Sequence, residues 1–237
     1  MSRTIWSVAR LHLKNIRIAY LVPGICVGLM LVQNIVGAIL LRFGIEMSGP
    51  DNQTISLAWY LWLLLLIAAI VIPLGNFPRI LNLGAKRRDY FWGTLESYAV
   101  LSGAAALIGT LWNYLVDRPM TAWGRLGSFW TAPGVFGWDA NGPVGAFLQQ
   151  WAFLLFFVIF VHTLVAAQDK WYGWTADVVI IAIISVFTPI APLRHAEAWF
   201  FNLILFHTNM FAQIGACLVL AAGFYALSRL VMNRRVA

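Results

Sequence analysis

Six long runs of apolar residues follow one another along the chain, separated by stretches rich in charge, glycine and proline. A helix needs about 20 apolar residues to cross the hydrocarbon core of a bilayer, and each run is close to that length. The pattern therefore predicts an all-α, polytopic membrane domain with six transmembrane helices, at residues 19–41, 57–75, 91–115, 146–167, 174–193 and 206–230.

The composition supports a membrane protein. Of the 237 residues, 61% are hydrophobic and only 11% are charged, whereas a soluble domain carries about 25% charged residues. The charge deficit is too large for a surface that faces only water. Cys26 and Cys217 both fall inside apolar runs, where cysteine behaves as a small hydrophobic residue. The sequence therefore predicts neither a disulfide framework nor a metal site built from paired cysteines.

Lysine and arginine concentrate in alternate connections between the runs. Connections on the cytoplasmic side of a membrane protein carry an excess of these residues, so both termini are predicted to be cytoplasmic. The net charge of +7 is explained by this asymmetry, and nucleic acid is not an expected partner. The twelve basic residues predicted on the cytoplasmic side are Arg3, Arg10, Lys14, Arg17, Arg79, Lys86, Arg87, Arg88, Lys170, Arg229, Arg234 and Arg235.

The segment before the first run has two distinct faces. Its basic residues, Arg3 to Arg17, lie apart from an apolar set at helical spacing, which comprises Ile5, Val8, Ala9, His12, Leu13 and Ile16. This pattern predicts an amphipathic helix over residues 1–18 that lies in the inner membrane interface. The alternative is a plain cytoplasmic extension of the first span.

Two connections on the predicted outer side are unusual. Residues 116–145 form a long loop with many glycines and with Trp123, Trp130 and Trp138, and we expect it to fold back on the outer interface. Residues 189–206 begin with Pro189, which breaks the fifth run. They are expected to form a short helix or a re-entrant hairpin at the outer leaflet.

The connection at residues 76–90 holds the densest charge cluster of the chain's interior. Asn76 is a possible helix cap, Pro78 suits a first helical turn, and Gly84 is a natural stop. The sequence thus predicts a short helix whose apolar side consists of Ile80, Leu81 and Leu83. A helix of two turns is not stable alone in water, so it needs a partner surface, either the chain's own spans or another protein. The alternative is that its cations only set the topology.

Part of this connection resembles a pattern that is common in ABC-2-type transporter permeases. The resemblance lies in Phe77-Pro78 and in the segment Leu83-Gly84-Ala85-Lys86-Arg87-Arg88-Asp89-Tyr90-Phe91-Trp92-Gly93. It implies that residues 76–90 are a coupling helix seated on a separate ATP-binding subunit, and that two permeases form the pathway. The coupling residues it implies are Arg79, Lys86, Arg87, Arg88 and Asp89.

The same resemblance implies that this chain is not itself an enzyme and holds no cofactor. ATP and magnesium would bind to the partner subunit, since the chain has no G-x-x-x-x-G-K-[ST] phosphate-binding motif. The long loop at 116–145 departs from the short connection that is expected in this family.

Four of the polar residues inside the apolar runs are functional candidates, because ionisable groups at membrane depth are costly and often functional. Glu96 and Asp177 are near the inner face and are candidates for bridging helices, for pairing with basic residues, for relaying motion or for local pairing at the interface. Gln149 and Gln150 either line a pathway or form hydrogen bonds between helices, and the second is commoner.

The histidines argue against a haem or metal protein. His162 and His207 are predicted in opposite leaflets and so do not share a haem, while His12 and His195 are at interfaces. The sequence has no H-E-x-x-H motif. We therefore expect lone interfacial histidines and no metal site.

These observations favour the membrane subunit of an ABC exporter in a bacterial inner membrane, moving a hydrophobic or amphiphilic substrate by alternating access. Its expected partners are the ATP-binding subunit, a second copy or paralogue of the permease, and membrane lipids. The alternative is a non-transporting membrane protein, either an enzyme or a sensor scaffold, that uses the tryptophan-rich outer loop.

Overall fold

A computed structural model describes residues 2–43, 53–122 and 128–233. The α-helices in these ranges are α1 (Ser2–Asn15), α2 (Arg17–Arg42), α3 (Leu57–Val71), α4 (Phe77–Asn82), α5 (Arg87–Trp112), α6 (Arg118–Ala122), α7 (Ala132–Val135), α8 (Gly142–Ala167), α9 (Trp171–Phe187), α10 (Ala191–Phe201) and α11 (Met210–Asn233). The all-α prediction is confirmed, except that the three-residue strands β1 (Gln53–Ile55) and β2 (Ser128–Trp130) pair in parallel.

Four helices are long and apolar enough to cross a membrane, namely Leu57–Asn82, Arg87–Thr121, Trp138–Ala167 and Met210–Met232. They correspond to the second, third, fourth and sixth predicted spans. The first and fifth predicted spans fall in bent helix pairs. Ile5–Asn15 and Ala19–Gln33 meet at 47°, and Trp171–Phe187 and Ala191–Phe206 meet at 118°. By length and composition, the described residues thus contain four candidate spans, or up to six if each bent pair is one span.

The 118° bend follows from proline chemistry. α9 ends at Phe187 rather than at the predicted residue 193, because Pro189 lacks the N–H that would continue the helix and its ring crowds the preceding turn. Thr188 itself keeps helical backbone angles as the C-cap. Pro192 then lies in the first turn of α10, where a missing N–H is harmless. The expected short helix after Pro189 is present.

Helices α5 and α8 run antiparallel through the centre of the bundle. Tyr98 contacts His162 near one end of this pair, and Thr110 contacts Gln150 near the other. α11 packs beside α8 and runs in the same direction as α8. The buried centre is largely formed by α8, with Leu154, Val158 and Ile159 almost fully buried.

The two ends of the bundle differ in chemistry. One end, called the basic end below, carries α1, α4, the first turn of α5 and the last turns of α8 and α11. The opposite end carries the β1–β2 pair, the segment 131–141 and the first turns of α8 and α11. Most exposed arginines and lysines in the described part of the chain are at the basic end, including Arg10, Lys14, Arg79, Lys86 and Arg88.

Helix α1 packs its apolar face on α5. Val8, Ala9 and Ile16 are almost fully buried, whereas Arg10 and Lys14 are exposed. The amphipathic pattern thus corresponds to a buried apolar face and an exposed basic face of α1. The 47° bend shows that α1 is not a straight extension of α2.

The outer connection is more ordered than its sequence suggests. α5 continues through a π-helical turn, Asn113–Asp117, into α6, and α8 already begins at Gly142. The predicted loop at 116–145 is therefore too long, because glycine and proline content does not exclude short helices. Trp138 is almost fully buried. The tryptophan at position 123 and the glycines at 124 and 127 lie outside the described residues.

Candidate docking site at the basic end

The connection at 76–90 is not one separate helix. α3 continues through a π-helical turn, Ile72–Asn76, directly into α4, so that Leu57–Asn82 forms one long element. Pro73 lies in the first turn of the π segment and removes one helical donor, which favours such a wide turn. The prediction that Asn76 caps a short helix is wrong, because Asn76 has helical backbone angles and its side chain makes no cap bond.

The predicted stop of this helix is confirmed. Gly84 has a φ of 83°, a left-handed conformation that glycine adopts without a side-chain penalty. The N–H of Gly84 donates to the Leu81 carbonyl at 2.9 Å, and the N–H of Ala85 donates to the Ile80 carbonyl at 3.3 Å. These bonds satisfy carbonyls that the helix end leaves open.

The residues that form the buried face of α4 differ from those predicted. Phe77 and Ile80 are each 2% exposed, and the Phe77 ring meets the Tyr90 ring edge-on, with centroids 5.0 Å apart. Leu83, predicted on the same apolar side, is 71% exposed. The reason is that α4 ends at Asn82, so Leu83 leaves the helical face and points away from the bundle.

An exposed tip results, which we define as Arg79, Leu83, Lys86, Arg87 and Arg88. All five are exposed, and Asp89 beside them is half-buried. The Arg87 Nη1 donates to the carbonyl of Met232 in α11 at 3.3 Å. The tip therefore presents one large apolar side chain among four cations and is tied to the last helix.

His12 joins three elements below the tip. Its side chain is fully buried, with Nδ1 3.1 Å from Asn76 Nδ2 and Nε2 3.1 Å from Thr94 Oγ1. Because the amide nitrogen of Asn76 only donates, Nδ1 is the acceptor. His12 is thus the neutral tautomer with its proton on Nε2, which donates to Thr94. One imidazole links α1, the π-helical turn and α5.

Tyr90 reinforces the same junction. Its ring meets the His12 ring edge-on at a centroid distance of 5.1 Å, and its hydroxyl donates to the Ile72 carbonyl at 3.2 Å. Ser97 adds a bond of 3.4 Å from its hydroxyl to the Ala9 carbonyl. The five side chains of this polar junction are His12, Asn76, Tyr90, Thr94 and Ser97.

The prediction of lone interfacial histidines is wrong for two of them. His12 belongs to the polar junction, and His162 is 1% exposed, with Nδ1 2.7 Å from the Tyr98 hydroxyl of α5. A signal for His12 is present in the sequence, since it lies on the apolar face of α1. Its partners are 64 and 82 residues away, so the sequence alone does not identify them.

The two candidate acids lie on different helices. Asp177 Oδ2 accepts a hydrogen bond from Gln168 Nε2 at 2.5 Å, so it pairs locally at the start of α9. Glu96 is half-buried and lines a groove that also contains Arg88 and Trp92. Within the described ranges, Glu96 forms no ion pair at 4.0 Å or less.

Gln149 and Gln150 form hydrogen bonds between helices, which is the commoner of the two roles predicted for them. Thr110 Oγ1 of α5 donates to Gln150 Oε1 at 3.2 Å. Gln149 donates to Gln213 of α11, and Gln213 Nε2 donates to the Ile204 carbonyl at 3.0 Å. This chain of amides satisfies a carbonyl of the π-helical turn Asn202–Phe206.

A second polar cluster fixes the outer connection at the opposite end. Asp139 accepts from Arg118 Nη2 at 2.8 Å and from Asn113 Nδ2 at 3.2 Å. Ser56 donates to the buried Asp117 Oδ2 at 2.5 Å. These bonds hold the start of α3 and the segment before α8 against the end of α5, which is a structural role.

Compared with known protein families, with curated proteins and with solved structures, the chain matches none of them. Among the described residues, no three His, Cys, Asp or Glu side chains are placed to hold a metal ion. The basic end, with its exposed tip on a buried polar junction, is therefore the candidate functional site.

Proposed function

We propose that this chain is the membrane subunit of an ATP-driven exporter of the ABC-2 type. The basic end faces the cytoplasm, and the tip docks on a separate ATP-binding subunit. The observation that carries the proposal is Leu83, a large apolar side chain that is 71% exposed and is surrounded by cations. A single exposed leucine is common on a protein surface; Leu83 gains weight from the four cations around it and from its place in the segment that resembles ABC-2 permeases.

The chemistry of the tip suits a protein partner. Interfaces commonly combine an apolar anchor that fills a pocket with arginines around it. Arg79, Lys86 and Arg88 would steer the tip toward an acidic groove and set its orientation, while burial of Leu83 would supply affinity. The resemblance of residues 77–93 to ABC-2 permeases points to an ATP-binding subunit as that partner.

The polar junction supplies a route for motion. The tip is continuous with α3 through the π-helical turn, and Asn76 in that turn binds His12. Thr94 and Tyr90 extend the connection to α5. When ATP-driven closure of the partner moves the tip, α1, α3 and α5 would follow together, and two permeases would rock between inward-open and outward-open states.

The connectivity supports the proposal of six crossings, and the membrane that we propose is a bacterial inner membrane. α8 ends at the basic end, whereas the start of α11 lies beside Gly145 at the opposite end, so the α9–α10 pair carries the chain across. Likewise, α1 is at the basic end and Ser56 bonds to Asp117 at the opposite end. By the same argument, we propose that the chain crosses once more between Ile16 and Ser56, so that α1 and the last turn of α11 both lie at the basic end.

The test is co-purification of the tagged protein from its native membranes, with mass spectrometry to identify an ATPase that carries a Walker motif. The Lys86→Ala/Arg87→Ala/Arg88→Ala variant and Leu83→Ser are expected to lose the ATPase and the substrate-stimulated ATP hydrolysis. Leu115→Ser is the matched control, because Leu115 is 70% exposed at the opposite end. It is expected to retain both.

Two outcomes would contradict the proposal. Either no such ATPase accompanies the wild-type chain, or the tip variants bind it and couple hydrolysis as well as the control does. The first outcome would favour the alternative, a non-transporting membrane protein that works through its outer connection.

A further inference from the structure

Three arginines line one small cavity at the basic end. The cavity has a volume of about 120 Å³ and lies between the first turn of α5 and the last turns of α11. None of the described residues that line it is acidic; they are Phe77, Arg87, Arg88, Tyr90, Phe91, Arg229 and Met232. Three cations with no acidic residue in the lining attract an opposite charge, so the cavity is suited to an anionic group.

Aromatic contacts hold Arg229 in place. Its guanidinium carbon lies 5.4 Å from the centroid of the Phe91 ring, a cation–π distance. The Phe91 ring stacks in turn on Tyr225 of α11, with centroids 4.2 Å apart. Arg88 and Arg229 make no ion pair at 4.0 Å or less with any described carboxylate. Their hydrogen-bond donors therefore remain available to a bound anion.

An apolar groove begins where the cavity ends. The groove has a volume of about 740 Å³ and runs between α5, α8 and α11, within candidate membrane spans. It shares Phe91 and Arg229 with the cavity. The remainder of its lining is predominantly aliphatic and aromatic and includes Leu95, Leu155, Ile159, Leu218 and Ala222. A cationic site thus continues directly into an apolar one.

We propose that this composite site binds an anionic phospholipid of the membrane. The headgroup phosphate lies between Arg88 and Arg229, and an acyl chain fills the groove. Guanidinium groups bind phosphate oxygens through paired hydrogen bonds, and basic pockets between transmembrane helices suit anionic headgroups. Arg88 and Arg229 lie near the ends of the candidate spans Arg87–Thr121 and Met210–Met232, which is the level of the headgroups.

Charge favours a lipid over a second copy of the chain. In a two-fold dimer formed through this groove, the same surface patch of each copy would face the other. The arginines at the mouths of the two grooves would then approach one another. A phospholipid instead matches the site in both parts, with its charge at the cavity and its chain along the groove.

The test uses the purified full chain in a non-ionic detergent. The midpoint of thermal unfolding, followed by tryptophan fluorescence, is measured against increasing dioleoyl phosphatidylglycerol, dioleoyl phosphatidylcholine or inorganic phosphate. Phosphatidylglycerol is expected to raise the midpoint in a saturable way, and the other two are not. In Arg88→Gln/Arg229→Gln, the apparent affinity for phosphatidylglycerol should fall by roughly 30-fold.

Matched variants separate this site from general surface charge and test the groove. Lys14→Gln/Arg17→Gln removes two exposed cations from α1 and α2 at the same end and should retain the wild-type response. Ala222→Trp places an indole in the groove and should weaken binding while the arginines remain. The unfolding midpoint without lipid, with size-exclusion chromatography, shows whether each variant is folded.

Several results would overturn the lipid site. An equal response to phosphatidylcholine would remove the role of charge, and an equal response to inorganic phosphate would leave only an anion site. An equal loss in Lys14→Gln/Arg17→Gln would indicate non-specific attraction. A change of oligomeric state in Ala222→Trp would identify the groove as an interface between copies. Because no ATPase takes part, this test fails or succeeds independently of the proposed docking partner.

Discussion

At the scale of single residues, the most consequential side chain is a buried histidine. His12 satisfies both ring nitrogens within the polar junction, and each partner is itself nearly buried. A polar group that is buried without a partner costs about 1–3 kcal/mol. Removing the imidazole would leave Asn76 and Thr94 in that state and would also open a cavity beside Tyr90.

We therefore predict that His12→Ala lowers the thermal unfolding midpoint of the purified protein by about 5 °C or more, corresponding to about 2 kcal/mol. His195→Ala is the control, because His195 is exposed on α10, and it should change the midpoint little. Tryptophan fluorescence during heating gives both values. Equal midpoints for His12→Ala and the wild type would show that the junction contributes nothing to stability.

Gly93 provides a second test at the residue scale. A Cβ at this position would lie 2.7 Å from Val8 Cγ1 and 3.1 Å from the Ile5 carbonyl oxygen, so any side chain must push α1 away from α5. Gly93→Ala should speed amide hydrogen exchange in α1, whereas Gly223→Ala, with nothing within 4 Å of its added Cβ, should leave it unchanged. Unchanged exchange in both variants would contradict the observed packing.

At the scale of elements, hydrophobic periodicity predicted most of what formed. Apolar runs located the long helices, Pro189 located the break after α9, and Gly84 located the end of α4. The π-helical turn at Ile72–Asn76 was not predictable, because local preference favours Asn76 as a helix cap. Asn76 instead hydrogen-bonds to His12, which lies 64 residues away in the sequence. The burial of Phe77 and the exposure of Leu83 likewise depend on how α4 lies against α5.

The turn between α10 and α11 shows how such long-range contacts support irregular backbone. Gln213 Nε2 donates to the Ile204 carbonyl at 3.0 Å, and Cys217 Sγ lies 3.6 Å from the same oxygen. Trp138 Nε1 donates to the neighbouring Leu205 carbonyl at 2.8 Å. Carbonyls released by the π-helical turn Asn202–Phe206 are thereby paired, as an apolar environment requires.

We predict that Gln213→Met loosens this turn. The substitution keeps the volume of the side chain but removes the donor to Ile204 and the partner of Gln149. Hydrogen exchange across 202–209 should increase by about tenfold, which corresponds to the loss of one buried bond. Cys217→Ala removes only a weak sulfur donor and should change the exchange less. A greater effect of Cys217→Ala would show that the amide is not the main support.

At the scale of the whole molecule, the bundle is unevenly packed. α8 is largely buried, whereas α9 has only Gly173 buried and α10 has no buried residue. Hydrophobicity alone does not distinguish a helix that faces lipid from one that faces a second subunit, because both surfaces are apolar. The contacts within a single chain therefore define the basic end and the order of the helices. Whether lipid or a second subunit covers α9 and α10 depends on the oligomeric assembly.

The direction of crossing is a property of the whole chain and has a direct test. Under the proposed topology, Leu83 lies on the cytoplasmic side, and Val144 and Arg194 lie together on the other side. α5 separates Leu83 from Val144, and α8 and α9 together return the chain to the side of Val144. Single cysteines at these three exposed positions would be treated with a membrane-impermeant maleimide in spheroplasts. The unsubstituted chain controls for the cysteines at 26 and 217.

We predict labelling of Val144→Cys and Arg194→Cys in intact spheroplasts, and of Leu83→Cys only after permeabilisation. Labelling of Leu83→Cys in intact spheroplasts would invert the proposed orientation. If Arg194→Cys required permeabilisation, the α9–α10 pair would turn back before crossing.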